Sequence, residues 1–561
     1  MKKLLGILLG LALGTWQLPA SASSSAVVSL RHVNDTHHHL EAAGPRAAKL
    51  AGTEGGIAKA ATLIGRARAR DPNALLLHAG DSFQGDPSFN IGYGTLELGL
   101  MAGLGFDAFT VGTHEFDFGP MALDGALAGV PAFTPPLLSA NLSIPPDDPT
   151  ILFAPLVLRG RVKPWIIKNV NGVDVGIFGL TVPDDLTMMP YPITLSADIG
   201  PIAAKAIADL KAAGADVVIC LSHLGILGDR DLAANVPGID VIVGGHDHFL
   251  FEKPVEVRNP KGKKTLILQA GAYWQHVGKL RFTVMNGAFR FIDYEMLDAD
   301  AKVPPAPEMA AAVATIRDYF TGPFAGLFGP RLGTALYPLE RSWDANTGRR
   351  DTPLGNLLTD AYRNVTKTDV ALTPLGLVAE RIAEGPIVGL DVFRAVSYGF
   401  DPDTSLGLRL ATADITGGDL FMVLEIGVSQ VETGDAIFPQ TSGLVFRYDS
   451  SQPPFARVIP ESVRVNGAPL DPTRTYTLTV NEGVASLLVY GFGIPLENVD
   501  VKPGTWEYVV LSDEIARLGR VNYRSEGRIL DQWWHSGRRH ASLGATETLP
   551  ISLTPEPDPN Q

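Results

Sequence analysis

Five times between residues 26 and 250, a short apolar run is followed within a few residues by an aspartate or a histidine. The runs are 27–30, 74–77, 108–111, 217–221 and 241–243, and the polar residues behind them are Asp35, Asp81, His114, His223 and His246. Runs this short and this continuously apolar suit strands buried on both faces of a layered α/β domain. Runs 173–180 and 265–268 add further strands, and the amphipathic, Ala-rich stretches 57–70 and 201–213 predict helices between them. In open α/β sheets, ligands gather beyond the carboxyl ends of the strands. The pattern therefore predicts one rim where residues scattered along the first half of the chain converge.

A chain of 561 residues is too long for one ordinary core, and two domains of roughly 200–300 residues are expected. The first α/β unit spans 26–300. Pro304, Pro305 and Pro307 then lead into a predicted helix, so 301–329 is taken as a connector. A smaller unit follows over 330–535, with a helix predicted over 353–365. The tail over 536–561 is rich in Pro, Asp, Asn and Glu near its end and is expected to fray.

Lys2 and Lys3, an apolar run over 4–13 and then Ala20-Ser21-Ala22 form a signal-peptide pattern over 1–22. The apolar run is too short for a membrane span, and no cysteine follows it to take a lipid. A periplasmic or secreted protein without a stable membrane anchor is expected. Removing that segment, with its two lysines and no acid, takes the formal charge from −14 to −16. Such a field disfavours nucleic acid polymers and anionic membranes as partners. A small anion can still bind where cations dominate locally. Cys220 is the single cysteine, so no internal disulfide can form; it is read as a buried small hydrophobe.

The polar segments themselves suggest a metal centre. They are His32-Val33-Asn34-Asp35-Thr36-His37, Gly80-Asp81-Ser82-Phe83-Gln84-Gly85, Gly112-Thr113-His114-Glu115-Phe116-Asp117, Ser222-His223-Leu224-Gly225 and Gly244-Gly245-His246-Asp247-His248. Asp35 and His37, two residues apart after a strand, can reach one ion. Asp81, in a glycine-flanked turn, can offer its two oxygens to two ions. Mixed imidazole and carboxylate donors suit Mn, Zn or Fe better than Ca or Mg. His38 and His39, which extend the first block, are expected to be solvated loop residues.

In this order, the five blocks resemble the calcineurin-like metallophosphatase superfamily, and within it the secreted 5′-nucleotidase and UDP-sugar hydrolase branch. The resemblance covers roughly residues 27–280. It implies a four-layer α/β/β/α domain, followed by a smaller α+β domain of the 5′-nucleotidase C-terminal kind. It implies two divalent metals (Mn, Zn or Co). Asp35, His37 and His248 would hold the first, His223 and His246 the second, and Asp81 would bridge them. His114 and Asp117 would form a catalytic dyad. The family's Gly-Asn-His-Glu block carries an Asn ligand to the second metal, and here that position is Thr113.

The second domain resembles the family at residues 349–361 and 417–425, and in relatives it supplies the substrate pocket. Arg349, Arg350, Arg381, Tyr398 and Tyr490 are the candidate substrate contacts. The family's Asn-Gly-Gly-Ile-Arg segment appears as 373–378 without its Arg, and its Gly-Gly-Asp-Gly-Tyr segment appears as 487–490 without its Asp. The expected activity is metal-dependent hydrolysis of a small phosphoester, a nucleotide by resemblance, through two-metal activation of water. The alternatives are a phosphoesterase of broad or non-nucleotide specificity, or a degenerate site that only binds metal or ligand.

Overall fold

The computed structural model describes residues 26–47, 50–144, 160–183, 193–285, 287–344, 346–399, 401, 404–432, 434 and 436–533. The predicted export signal over 1–22 and the tail over 536–561 lie outside the described residues.

Two sheets stack face to face in the first half of the chain. The seven-stranded sheet runs Ala288–Asp298, His276–Met285, Val27–Val33, Leu75–His78, Ala108–Thr110, Leu137–Leu138, Val162–Lys163. The six-stranded sheet runs Val255–Arg258, Lys264–Leu268, Val241–Val243, Val217–His223, Val173–Thr181, Trp165–Val170. Val27–Val33, Leu75–His78 and Ala108–Thr110 pair in parallel, as do Val173–Thr181, Val217–His223 and Val241–Val243. Their carboxyl ends therefore share a direction within each sheet.

Strand alternation explains why the runs are apolar throughout. Leu75, Leu77, Val217, Ile219 and Leu221 face the other sheet, whereas Leu76, Val218 and Cys220 face helices. Helices Ile57–Arg70 and Thr95–Ala102 cover one outer face, and Ile199–Ala212 and Gly225–Asn235 cover the other. This is the α/β/β/α order. Cys220 is free and buried, and burial pushes its thiol well above the ordinary range.

Helix Pro307–Phe328 joins the two halves. Val313 packs into the core of the first and Phe328 into that of the second, so the helix is a strut anchored at both ends. Beyond it, a five-stranded sheet runs Pro439–Ser442, Val370–Pro374, Thr475–Asn481, Arg409–Thr416, Glu497–Trp506. Helices Pro353–Thr366, Gly417–Val428 and Glu507–Leu518 contribute to its core. Thr352 caps the first of these, accepting from the Gly355 amide at 3.0 Å, and Pro353 takes a position where its missing N–H has no consequence.

The seam between the halves is polar and largely buried. Arg394 donates to Asp86 Oδ2 at 2.8 and 3.1 Å and to the Glu41 carbonyl at 3.0 Å. Arg46 pairs with Asp391, and Asn90 donates to the Ser405 carbonyl at 2.9 Å.

Candidate metal centre and active site

The strand ends deliver the predicted donors to one place. Asp35, His37 and His248 bring donor atoms within 4.8 Å of one another, as do Asp81, His223 and His246, and also His37, Asp81 and His114. Asp81 thus belongs to two groups at once. Asp35, His37, Asp81 and His223 are buried, and His246 and His248 are half-buried.

The turns that carry these donors are unusual backbone. Asp35, His37, Asp81, His246 and His248 all adopt positive φ, between 48° and 87°. Non-glycine residues hold this conformation only where surrounding contacts enforce it. Asn34 supplies some of them, donating to Asp35 Oδ2 at 2.6 Å and accepting from the Ala270 amide at 2.8 Å. Glu115 supplies more: its carboxylate accepts from the amides of Gly112, Ser82 and Asp81 at 2.7, 2.7 and 3.1 Å, tying the dyad turn to the Asp81 turn. Asp247 accepts from the Ile226 amide at 2.6 Å and from Gln269 at 2.7 Å, which fixes the turn between His246 and His248. A side chain at Gly112 would meet Asp81 Oδ1 at 2.2 Å, so the close approach of these turns requires glycine there.

The donor chemistry fits cations. His37 Nδ1 faces the Phe83 carbonyl at 3.0 Å and so carries the proton, which leaves Nε2 a lone pair; that atom lies 3.0 Å from His248 Nε2. Burial holds His37 down to about 3 and, together with the neighbouring His37 ring, holds His248 well below its ordinary range. Both rings are neutral at physiological pH, with lone pairs available to a cation. His223 Nδ1 donates to the Ala79 carbonyl at 2.6 Å, and its Nε2 is buried without a hydrogen-bond partner, 2.9 Å from Asp81 Oδ2. Burial alone would depress His223, yet the Asp81 and Asp35 carboxylates push it up to about 10, so the pocket favours positive charge. Thr113 is buried beside it, its hydroxyl 3.4 Å from Asp81 Oδ2.

The dyad stands at the same rim. His114 opens a short 3₁₀ turn, and its Nδ1 lies 2.6 Å from Asp117 Oδ2. Its amide donates to Asp81 Oδ1 at 2.9 Å. Burial opposes a charged ring, but Asp117 and Asp81 outweigh it and hold His114 well above its ordinary range.

The second domain covers this rim. Of the five predicted substrate contacts, the structure brings Tyr398 to the site, stacked on His114. Arg350 is buried, donates to the Thr347 and Arg349 carbonyls, sits 3.6 Å from Asp531 and lies over the Trp343 ring, so its guanidinium belongs to the domain interior. Arg349 donates to the Ser525 carbonyl at 2.8 Å. Arg381 pairs with Glu340 at 3.2 Å and reaches toward Glu54 of the first domain at 3.6 Å. Tyr490 is 88% exposed, an open ring without a packed face. His38 and His39 correct the expectation of solvated loop residues. Both are buried, because Glu97 and Ser88 receive His38 while Glu380 and the His37 carbonyl receive His39.

Two residues at the rim have no sequence signal. Tyr273 packs its ring against His37, His39 and His248. Arg341, in the unremarkable segment Pro338-Leu339-Glu340-Arg341, donates from Nε to the Val378 carbonyl at 2.7 Å. Its charge is felt at His248, Tyr273 and Tyr398, and among the described residues no carboxylate lies within ion-pair distance of it.

Four layers with Asp and His donors gathered at the strand ends define a calcineurin-like phosphoesterase, and the family of that description matches residues 29–250. The 5′-nucleotidase C-terminal domain matches residues 333–487. The crystal structure of a 5′-nucleotidase precursor from Thermus thermophilus is 31% identical, with a TM-score of 0.76 over 90% of this chain and 99% of that one. The chain belongs to the 5′-nucleotidase family of metallophosphoesterases, hydrolases of phosphoric esters. Snake venom 5′-nucleotidase from Naja atra is 27% identical over 90% of this chain and 98% of the relative. The trifunctional nucleotide phosphoesterase protein YfkN of Bacillus subtilis is also 27% identical over 90% of this chain, which spans 35% of that longer protein.

Proposed function

We propose that this chain hydrolyses the phosphoester of small nucleotides, with two divalent cations (Mn, Zn or Co) held by Asp35, His37 and His248 on one side, His223 and His246 on the other, and Asp81 between them. The observation that carries the reading is Asp81, which groups with His223 and His246 on one side and with His37 and His114 on the other, and accepts the amide of the dyad histidine. Cations there supply Lewis acidity to a phosphoryl oxygen and to water. The chain's own residues do the rest. Asp117 fixes the His114 ring through Nδ1, leaving Nε2 as the atom that gives a proton to the departing oxygen. Arg341 supplies, on the second-domain side, a cation without a carboxylate partner among the described residues, suited to hold an anionic substrate.

The reading carries a domain division of 26–300, a connector at 301–329 and 330–535, with an export signal that delivers the mature protein to the periplasm or beyond. No helix among the described residues is long and apolar enough to cross a membrane. The commitment of Arg350 to the domain interior favours a second reading, broad phosphoester specificity.

Phosphate release from nucleoside monophosphates, UDP-glucose, a dinucleotide and an aryl phosphate, with Mn, Zn or Co supplied, tests both. His114→Ala should lower turnover by about 100-fold or more while metal content is unchanged. Release from the aryl ester alone would leave only the broad reading, and no metal-dependent release at all would overturn both.

A further inference from the structure

Asp35, His37 and His38, in the loop that leads to His39, are held in left-handed backbone, with φ of 49°, 48° and 57°. Two of these are the ligands Asp35 and His37. Such a loop keeps its shape only through contacts that over-determine it. From inside the first domain, the His38 amide donates to Glu97 Oε2 at 3.0 Å and the His37 amide to the Asp81 carbonyl at 3.1 Å. A further anchor comes from the second domain. His39 Nδ1 donates to the carbonyl of His37 itself at 2.8 Å, and His39 Nε2 lies 2.9 Å from Glu380 Oε2.

This ring is clamped on every side. Tyr273 stacks on it with centroids 4.2 Å apart and planes inclined by 29°, and the Tyr273 hydroxyl donates to the carbonyl of Ala379, the neighbour of Glu380, at 3.1 Å. His39 and Glu380 are both buried. Burial would raise the Glu380 carboxyl, but His39 and the nearby Arg394 outweigh it and hold it below its ordinary range. Removing the carboxylate would leave His39 Nε2 buried without a partner, and the ring would be free to turn away from the His37 carbonyl.

We propose that Glu380 is a positioning residue that, by fixing the His39 ring, holds the strained loop carrying Asp35 and His37, so that docking of the second domain raises the affinity of the first metal site. The proposal rests on the reading of Asp35, His37 and His248 as metal ligands. Linkage makes the effect reciprocal: metal at this site favours the docked arrangement by the same factor.

The test is calorimetric titration of the full chain, stripped with a chelator, with Mn²⁺ alone. Glu380→Ala should weaken the tighter site by about tenfold or more, the loss usual when the partner of a ligand's support is removed. Glu380→Gln, whose amide oxygen can still accept from His39, should stay within about threefold of the unsubstituted chain, since the hydrogen bond survives. Arg46→Met, which severs another cross-domain pair, should leave the affinity unchanged. Should Glu380→Ala fail to fold, Glu380→Asp, one methylene short of the ring, takes its place with the same expected loss. Unchanged affinity in the Ala or Asp variant would overturn the proposal, and so would an equal loss in Arg46→Met, which would assign the effect to docking in general. If the unsubstituted chain bound no Mn²⁺, the metal reading itself would fall and this inference with it.

Discussion

The phenol ring of Tyr398, carried by the second domain, lies on the imidazole of His114, carried by the first, with centroids 5.2 Å apart and planes inclined by 27°. One face of the proposed general acid is thereby closed by a residue from the other half of the chain. The contact restricts the ring from that face while Asp117 restricts it from its edge. Ring pairs of this kind contribute about 0.5–1.5 kcal/mol.

Tyr398→Ala should therefore lower kcat by about threefold to tenfold, the range that a lost ring contact implies. Tyr398→Phe keeps the ring and should stay near the unsubstituted rate. Steady-state phosphate release separates the two, with metal content measured alongside. An Ala variant as fast as the parent would mean that the stacking holds nothing that the reaction uses.

Arg341 invites a different signature. A guanidinium anchored at Nε, with no carboxylate partner among the described residues, can turn its remaining donors to an anion. Arg341→Ala should raise KM for a nucleotide by about tenfold or more, as expected when a hydrogen bond to a charged group is lost. An aryl phosphate that does not reach the second domain should be affected less. Equal effects on both substrates would place Arg341 at the reacting phosphate instead, and no effect would remove it from the site.

The parts of this site that were legible in sequence share a physical cause. Asp35, Asp81, His223 and His246 sit at the ends of buried strands, and both the strand and the turn are written locally, in a continuous apolar run and its adjoining glycines. His114 and Asp117 lie on one short turn, so their spacing alone allows the hydrogen bond. What escaped is set by distant partners. His39 reads as a loop histidine because Glu380 lies 341 positions away in the chain. Tyr273 and Arg341 occupy segments of ordinary composition, and their place at the rim follows from how two domains dock. The surroundings of Arg350 were hidden for the same reason: the carbonyls and the Trp343 face that bind it are supplied by the folding of its own domain.

Thr113 tests how equal the two proposed metal sites are. Its hydroxyl lies 3.4 Å from Asp81 Oδ2, and the donors beside it are Asp81, His223 and His246. A hydroxyl is a poorer neutral ligand than the amide carbonyl that relatives place here. Thr113→Asn should tighten the weaker site by about tenfold or more, since even groups one shell further out are worth that much to a metal. Metal content after dialysis against a weak chelator should rise from about one equivalent towards two, as expected for three protein donors gaining a fourth. Unchanged content would show that Thr113 takes no part in holding the ion.

Glu507 predicts a pH effect on stability remote from the metals. Its carboxyl is buried, accepts from the Tyr362 hydroxyl and from Asn481 Nδ2 at 3.0 Å, and burial raises it from an ordinary 4.5 to about 7. Below pH 4.5 the folded and unfolded chains both hold this proton, and the contribution to stability is fully present. Between about 4.5 and 7 the unfolded chain releases it while the folded chain retains it, so stability falls as pH rises through the folded value. The loss attributable to this one group is on the order of 3 kcal/mol. Glu507→Gln keeps an oxygen to accept both hydrogen bonds and has no proton to lose. Melting temperatures of the two proteins, followed from about pH 4 to pH 8, should diverge between about pH 4.5 and 7, with the variant gaining on the parent, and run parallel above that. Parallel curves across that range would mean that Glu507 is ionised in the folded chain at neutral pH, and that Tyr362 and Asn481 hold a carboxylate rather than an acid.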